Sequence, residues 1–193
     1  MSGKMMALAV GLAITVCSPA YAGDEIAAPA VPADIQVLGY KPFLVAHAVG
    51  TQNFICVPAA TPAGVDWIFI GPQATAFDSG LEQIITHAQS VNPVSDVIEA
   101  VWQSSKDTST VWATKDGEST DPNYVRPGAI AWLRLRVTGA QLGPLAGDRL
   151  SQAKYIQRVN TIGGAKPSLS GCMPSAFYTR KLVYYEADYY FYR

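Results

Sequence analysis

The clearest pattern of apolar and polar positions lies at the end of the chain. From Lys181 to Arg193 the two alternate without a break. Val183, Tyr185, Ala187, Tyr189 and Phe191 fall on one face, and Tyr184, Glu186, Asp188, Tyr190 and Tyr192 on the other. A period of two predicts a strand, and a strand with one wet face predicts an antiparallel sheet. Ala129–Thr138 reads the same way, with Leu133, Leu135 and Val137 opposite Trp132, Arg134 and Arg136. Lys154–Ile162 is a third strand, ended by Gly163-Gly164.

Nearer the start the apolar segments are shorter and broken by Gly, Pro and Asn. Phe43–Ala48 and Gln52–Val57 flank Gly50-Thr51 and predict a hairpin, with Phe54 and Cys56 sharing a face of the second strand. Asp66–Ile70 is a strand closed by Gly71-Pro72, and Thr75–Phe77 adds a brief one before the turn Asp78-Ser79-Gly80. Between residues 88 and 128 the pattern divides. Val94, Val97, Ile98 and Val101 fall at helical spacing after Asn92-Pro93, so 94–102 reads as a helix or as a long loop. Thr110–Thr114 reads as a strand and Lys115–Arg126 as a polar surface loop. Many short strands at regular spacing predict an all-β domain, a mostly antiparallel sandwich or open barrel with short helical or loop insertions.

The first 22 residues follow a different rule. Lys4, the apolar run Met5–Val16 and the small-x-small site Ala20-Tyr21-Ala22 predict a secretory signal peptide cleaved after Ala22. The run is too short for a spanning helix with that flank. The alternative is a lipoprotein acylated at Cys17, but Val16 is not the small residue expected before such a cysteine. Residues 23–34 form a flexible Ala/Pro-rich lead, and residues 35–193 a single β-rich domain. The mature form is expected in the periplasm or outside the cell, with no membrane span. It carries 13 basic against 15 acidic residues, which excludes a general affinity for nucleic acid. From Asp148 onward there are seven Lys or Arg and three acids, a mildly basic end. Cys56 and Cys172 are the cysteines left after cleavage, and in an oxidising space such a pair reads as a disulfide closing a loop of more than 100 residues. No His or third Cys stands at metal-ligand spacing, so no metal site is expected.

The string Tyr155-Ile156-Gln157-Arg158-Val159-Asn160-Thr161-Ile162-Gly163-Gly164 carries a family resemblance. Pro167, Cys172 and the terminal Tyr185-Glu186-Ala187-Asp188-Tyr189-Tyr190-Phe191-Tyr192 extend it. Upstream, Gly50-Thr51-Gln52-Asn53-Phe54-Ile55-Cys56, Trp67 and Pro72-Gln73-Ala74 belong to the same pattern. Across most of the mature chain it resembles the small secreted bacterial and fungal proteins catalogued as domain of unknown function 3455. The resemblance implies a secreted domain with a Cys56–Cys172 bridge and no established activity. Some fungal relatives carry a malate dehydrogenase label, which this chain does not support, having neither G-x-G-x-x-G after a strand nor a βαβ rhythm. The chain also departs from the family's His-Gly-Pro-x-Trp element, since Ala88–Val101 separates His87 from Trp102.

Candidate chemistry is sparse. There is no G-x-S-x-G elbow and no cofactor motif, so no cofactor is expected. His47, between Val45 and Val49 on its face, reads as structural, and His87, at the edge of a loop, as the better base. Glu186 and Asp188 are spaced i,i+2 on one strand face, about 7 Å apart, within the ~5–10 Å of glycosidase pairs. Their bland reading is a pair of solvated acids. The leading expectation is a non-catalytic ligand-binding or envelope-associated module. Its site would be the face of Tyr184, Tyr190 and Tyr192, the loop around His87 and Trp102, or Arg158 and Asn160 as an anchor for a carboxylate, with a glycan or small molecule as ligand. The alternatives are a hydrolase using His87 with a carboxylate, and an assembly protein pairing through a sheet edge.

Overall fold

The computed structural model describes residues 25–193, so the expected signal peptide and Cys17 lie outside the described residues. Eight strands follow one another: β1 Pro42–Pro58, β2 Val65–Phe77, β3 Gln83–Val91, β4 Ile98–Ser104, β5 Thr110–Ser119, β6 Trp132–Gln141, β7 Tyr155–Gly163 and β8 Arg180–Tyr192. Each pairs antiparallel with the next, and β8 returns to β1, closing a barrel in chain order. The domain is therefore all-β and antiparallel as expected, and its sheet is closed.

The interior is filled by matching small and large side chains. Alternation on β8 sends Tyr185, Ala187, Tyr189 and Phe191 inward. Opposite them stand Gly50, Ala48, Ala46 and Leu44 of β1, with Ala74 and Ala76 of β2 beyond. Trp102 of β4, Val111 and Ala113 of β5, and Leu133, Leu135 and Val137 of β6 complete the ring. Leu150 and Ala153, from the 142–154 connection, join this core and plug one end.

Four expectations along the chain are corrected. Gly50-Thr51 is not a turn, because β1 runs straight through it. A Cβ on Gly50 would sit 2.5 Å from Ala74 Cα and closer still to the Gln73 carbonyl oxygen. The glycine is there for close approach of β2 and not for a reversal of the chain. Gly71-Pro72 likewise does not end β2. Gly71, at φ +119°, forms an irregularity opposite Asn53, and the strand continues to Phe77. Residues 94–102 are not helical. Asn92 Oδ1 accepts from the Val94 N–H, Asp96 adopts φ +56°, and β4 starts at Ile98. Helical spacing predicted a buried stripe, yet Val94, Val97 and Ile98 are 70%, 54% and 64% exposed. Finally, the polar segment after Thr114 stays in β5 to Ser119, paired with β6.

Two smaller cores lie outside the main one. β1, β2 and the start of β8 extend past the other strands, and there Phe54, Cys56, Val65 and Trp67 pack with Cys172 and Val183. Cys56 and Cys172 are joined by a disulfide, Cα to Cα 5.4 Å, which ties the β7–β8 connection to this hairpin. On the other side the lead lies against the barrel. Ile35, in a 3₁₀ turn over Ala33–Ile35, is fully buried with Val125, Trp132 and Val159, and Val31 packs beside them.

Candidate functional site

The barrel wall opens locally between β2 and β3. Pairing of β2 with β3 covers only Ala74–Phe77 against Gln83–His87. Beyond it β2 stays with β1, and β3 stays with β4 out to Val91. The two strands part just past His87. A cavity of about 330 Å³ lies inside this gap, lined by Phe69 and Pro72 from one lip and Gln89 from the other. Gly71 gives room here, since a Cβ on it would meet Gln89 Oε1 at 2.7 Å.

The deep wall of the cavity is polar and aromatic. His87 and Trp102 are direct cross-strand partners, their rings stacked with centroids 4.2 Å apart. Tyr189 meets both edge-on. His87 Nδ1 lies 2.8 Å from the Val101 carbonyl oxygen. A carbonyl can only accept, so Nδ1 carries the proton and Nε2 keeps its lone pair. Burial drives the His87 pKa down to about 3; the bond to Val101 opposes the fall and the nearby charge of Arg158 adds to it. The ring is neutral at any physiological pH. Tyr185 and Tyr189 hold their hydroxyls 3.4 Å apart, and burial raises the pKa of both.

Arg158 enters the same space from β7. Its Nε and Nη2 both donate to the Ala131 carbonyl, at 3.2 and 2.8 Å. Gln52 and Trp102 also line the cavity, and each carries a buried side-chain nitrogen, Nε2 and Nε1 respectively, with no hydrogen-bond partner. Such orphan donors are uncommon, because an unmade buried hydrogen bond costs about 1–3 kcal/mol. The rest of the lining is mixed, with apolar Leu133 and Leu135 on the wall and Phe69, Val97 and Ile98 exposed at the rim beside Gln89, Thr114 and Lys115.

The predicted site residues are divided by the wall. His87, Trp102 and Arg158 come together inside, where His87 and Trp102 sit in β3 and β4 and not in a loop. Asn160 does not accompany Arg158. A bulge after Val159 gives it φ +52° and turns it outward, where its Nδ2 donates to Asp188 Oδ2 at 2.8 Å. His47 is also outside, with Nδ1 2.6 Å from Asp188 Oδ1. Tyr184, Tyr190 and Tyr192 do not form an open strip. Tyr184 is 53% exposed, Tyr190 packs against the core under the lead, and Tyr192 is 1% exposed with its hydroxyl donating to Gln157. Val31 of the lead packs in the cluster beside Tyr190, and Ala28–Val31 line the same surface hollow as Tyr192. Glu186 accepts from Tyr184, so the two acids of the face are engaged separately.

The reading as a base near a carboxylate does not find its partner at His87. Glu99 is the carboxylate of the cavity lining, and it accepts from Thr138 and from Asn92. Among the described residues no three His, Cys, Asp or Glu side chains gather as a metal donor set. Gln52, Tyr185 and Tyr189 escaped sequence reasoning as site residues. Their signal was present: each is a polar group on a strand face that is otherwise apolar.

The chain matches, over residues 38–193, the family described as protein of unknown function DUF3455, and it belongs to that family. No curated protein and no solved structure is a significant match to it.

Proposed function

We propose that this member of the DUF3455 family is a small-molecule binder that holds its ligand inside the barrel, entering between β2 and β3. The observation that carries the reading is a cavity of about 330 Å³ whose lining joins apolar side chains to a deep wall with two unpartnered donors, Gln52 Nε2 and Trp102 Nε1. Small-molecule sites span roughly 300–1,000 Å³ and combine apolar walls with a few convergent polar groups, so both size and lining suit a compact ligand. Barrels of eight strands are just wide enough to hold one such molecule. The Cys56–Cys172 bridge fits work in an oxidising space outside the cytoplasm.

A filled-cavity variant tests the reading. Ala100 lines the cavity, and Ala100→Trp places an indole where the ligand would lie. Thermal unfolding is followed across a panel of small organic acids, amides, alcohols and sugars. At a hundredfold excess over Kd, a ligand stabilises the unsubstituted protein by about 2.7 kcal/mol. The expected result is a raised midpoint for some member of the panel, lost in Ala100→Trp while the variant's own transition stays cooperative. An equal response in both proteins would place binding elsewhere.

A further inference from the structure

Arg158 is the group in the barrel that packing leaves unexplained. It lines the cavity, beside Tyr189 and close enough to His87 and Tyr185 for its charge to act on all three. Among the described residues no carboxylate lies within ion-pair distance of its guanidinium. Of the other charged groups in the lining, Lys115 pairs with Glu118, and Glu99 is taken up by Thr138 and Asn92. A half-buried cation without a counter-ion is costly, and it gains most from a ligand that brings the missing charge. Two of its donors converge on one oxygen of Ala131, which anchors the head, and the Tyr189 hydroxyl lies within its reach.

Most of the neighbouring polar groups are donors, and the lone pair of His87 Nε2 is an acceptor among them. Gln52 Nε2 and Trp102 Nε1 are donors without acceptors, on residues 4% and 1% exposed. In the Tyr185–Tyr189 pair only one hydroxyl proton can lie between the two oxygens, so the other is left to be donated elsewhere. The deep wall therefore has a surplus of donors and one uncompensated positive charge.

We infer that the ligand is a small organic acid, its carboxylate set against Arg158 with Gln52 and Trp102 donating, and its apolar body directed past Leu133 toward Phe69 and Val97 at the gap. The inference rests on the barrel being a binding site and specifies the head group it takes. A carboxylate is planar and offers several lone pairs, which suits a guanidinium and two separate N–H donors. Phe69, Val97 and Ile98 are exposed at the rim beside Gln89, Thr114 and Lys115, so the ligand's far end has apolar surface to cover there.

Calorimetric titration with matched probes decides it. Benzoate, hexanoate and indole-3-acetate are each compared with the corresponding primary amide. An acid is expected to bind about 10- to 100-fold more tightly than its amide, the worth of a charge-assisted bond. Arg158→Gln should remove that preference by weakening the acid far more than the amide, with a cooperative unfolding transition reporting that the variant is folded. Arg158→Lys keeps the charge and should keep part of the preference. Equal binding of acid and amide to the unsubstituted protein would overturn the head-group assignment, whatever the fate of the variants, and would leave the barrel reading standing. An acid preference that survives Arg158→Gln would overturn it as well. If neither acids nor amides bind, both readings fall.

Discussion

His87 shows how much environment decides the role of a side chain. By residue type it is a natural base, yet burial and the Arg158 charge hold its pKa at about 3, against an ordinary value near 6.5. That shift has a consequence for stability. In the unfolded chain His87 takes up a proton near pH 6.5, and in the barrel it does not, so the unfolded state binds more protons below that pH. Stability is then fully present above about pH 6.5 and falls as pH drops toward 3, by about 1.4 kcal/mol per unit once the unfolded histidine is fully charged. Carboxylates with lowered pKa, Asp66 and Asp107 among them, add losses of the same sign at lower pH, so the range from about 6.5 to 4.5 belongs to the histidine. His87→Phe keeps a ring on Trp102 and removes the titration. Denaturant unfolding at pH 7, 6 and 5 should give a falling stability for the parent and a flatter profile for the variant. Parallel profiles would mean that the imidazole is not held neutral.

At the level of elements, the extension formed by β1, β2 and the start of β8 has its own small core and its own covalent tie. Cys56 and Cys172 are 116 residues apart, and a bridge over so long a loop contributes about 2–5 kcal/mol, chiefly by restricting the unfolded chain. Replacing both with Ala should lower the unfolding free energy from chemical denaturation by that amount and leave ligand affinity intact, because neither cysteine lines the cavity. Loss of binding together with stability would mean that the extension supports the gap more directly. Elements were legible where alternation is strict: the two faces of β8, and Leu133, Leu135 and Val137 against Trp132 and Arg134 on β6, stand in the barrel as the pattern predicts. They were illegible where glycine carries two meanings. Gly50 and Gly71 look like turn residues, but one admits a neighbouring strand and the other a crossing side chain, and only the pairing partner distinguishes these cases. The apolar spacing of Val94, Val97 and Ile98 misled for a related reason, since those residues serve an exposed rim and not a buried stripe.

For the whole molecule, closure is the property that local pattern could not express. It depends on β1 meeting β8, with His47 opposite Asp188 across most of the chain's length. Closure also removes the long free sheet edge on which pairing with another copy would depend, leaving short unpaired stretches such as the lips between β2 and β3. It gathers Gln52, His87, Trp102, Arg158 and Tyr189, from five different strands, around one space. No single segment of sequence contains that set, which is why the family string around Arg158 marked one member of it, while Tyr184, Tyr190 and Tyr192 lie on the other face of β8. The central claim is that small molecules bind inside this wall. Labelling with 5-fluorotryptophan tests it most directly, because the four tryptophans report from separate places: Trp102 on the cavity, Trp67 in the disulfide-linked extension, Trp132 under the lead and Trp112 in β5. With resonances assigned by single Trp→Phe substitutions, saturating ligand should move the Trp102 fluorine signal and leave that of Trp67 in place. A ligand that binds and leaves Trp102 unmoved while Trp67 or Trp132 shifts would contradict the account.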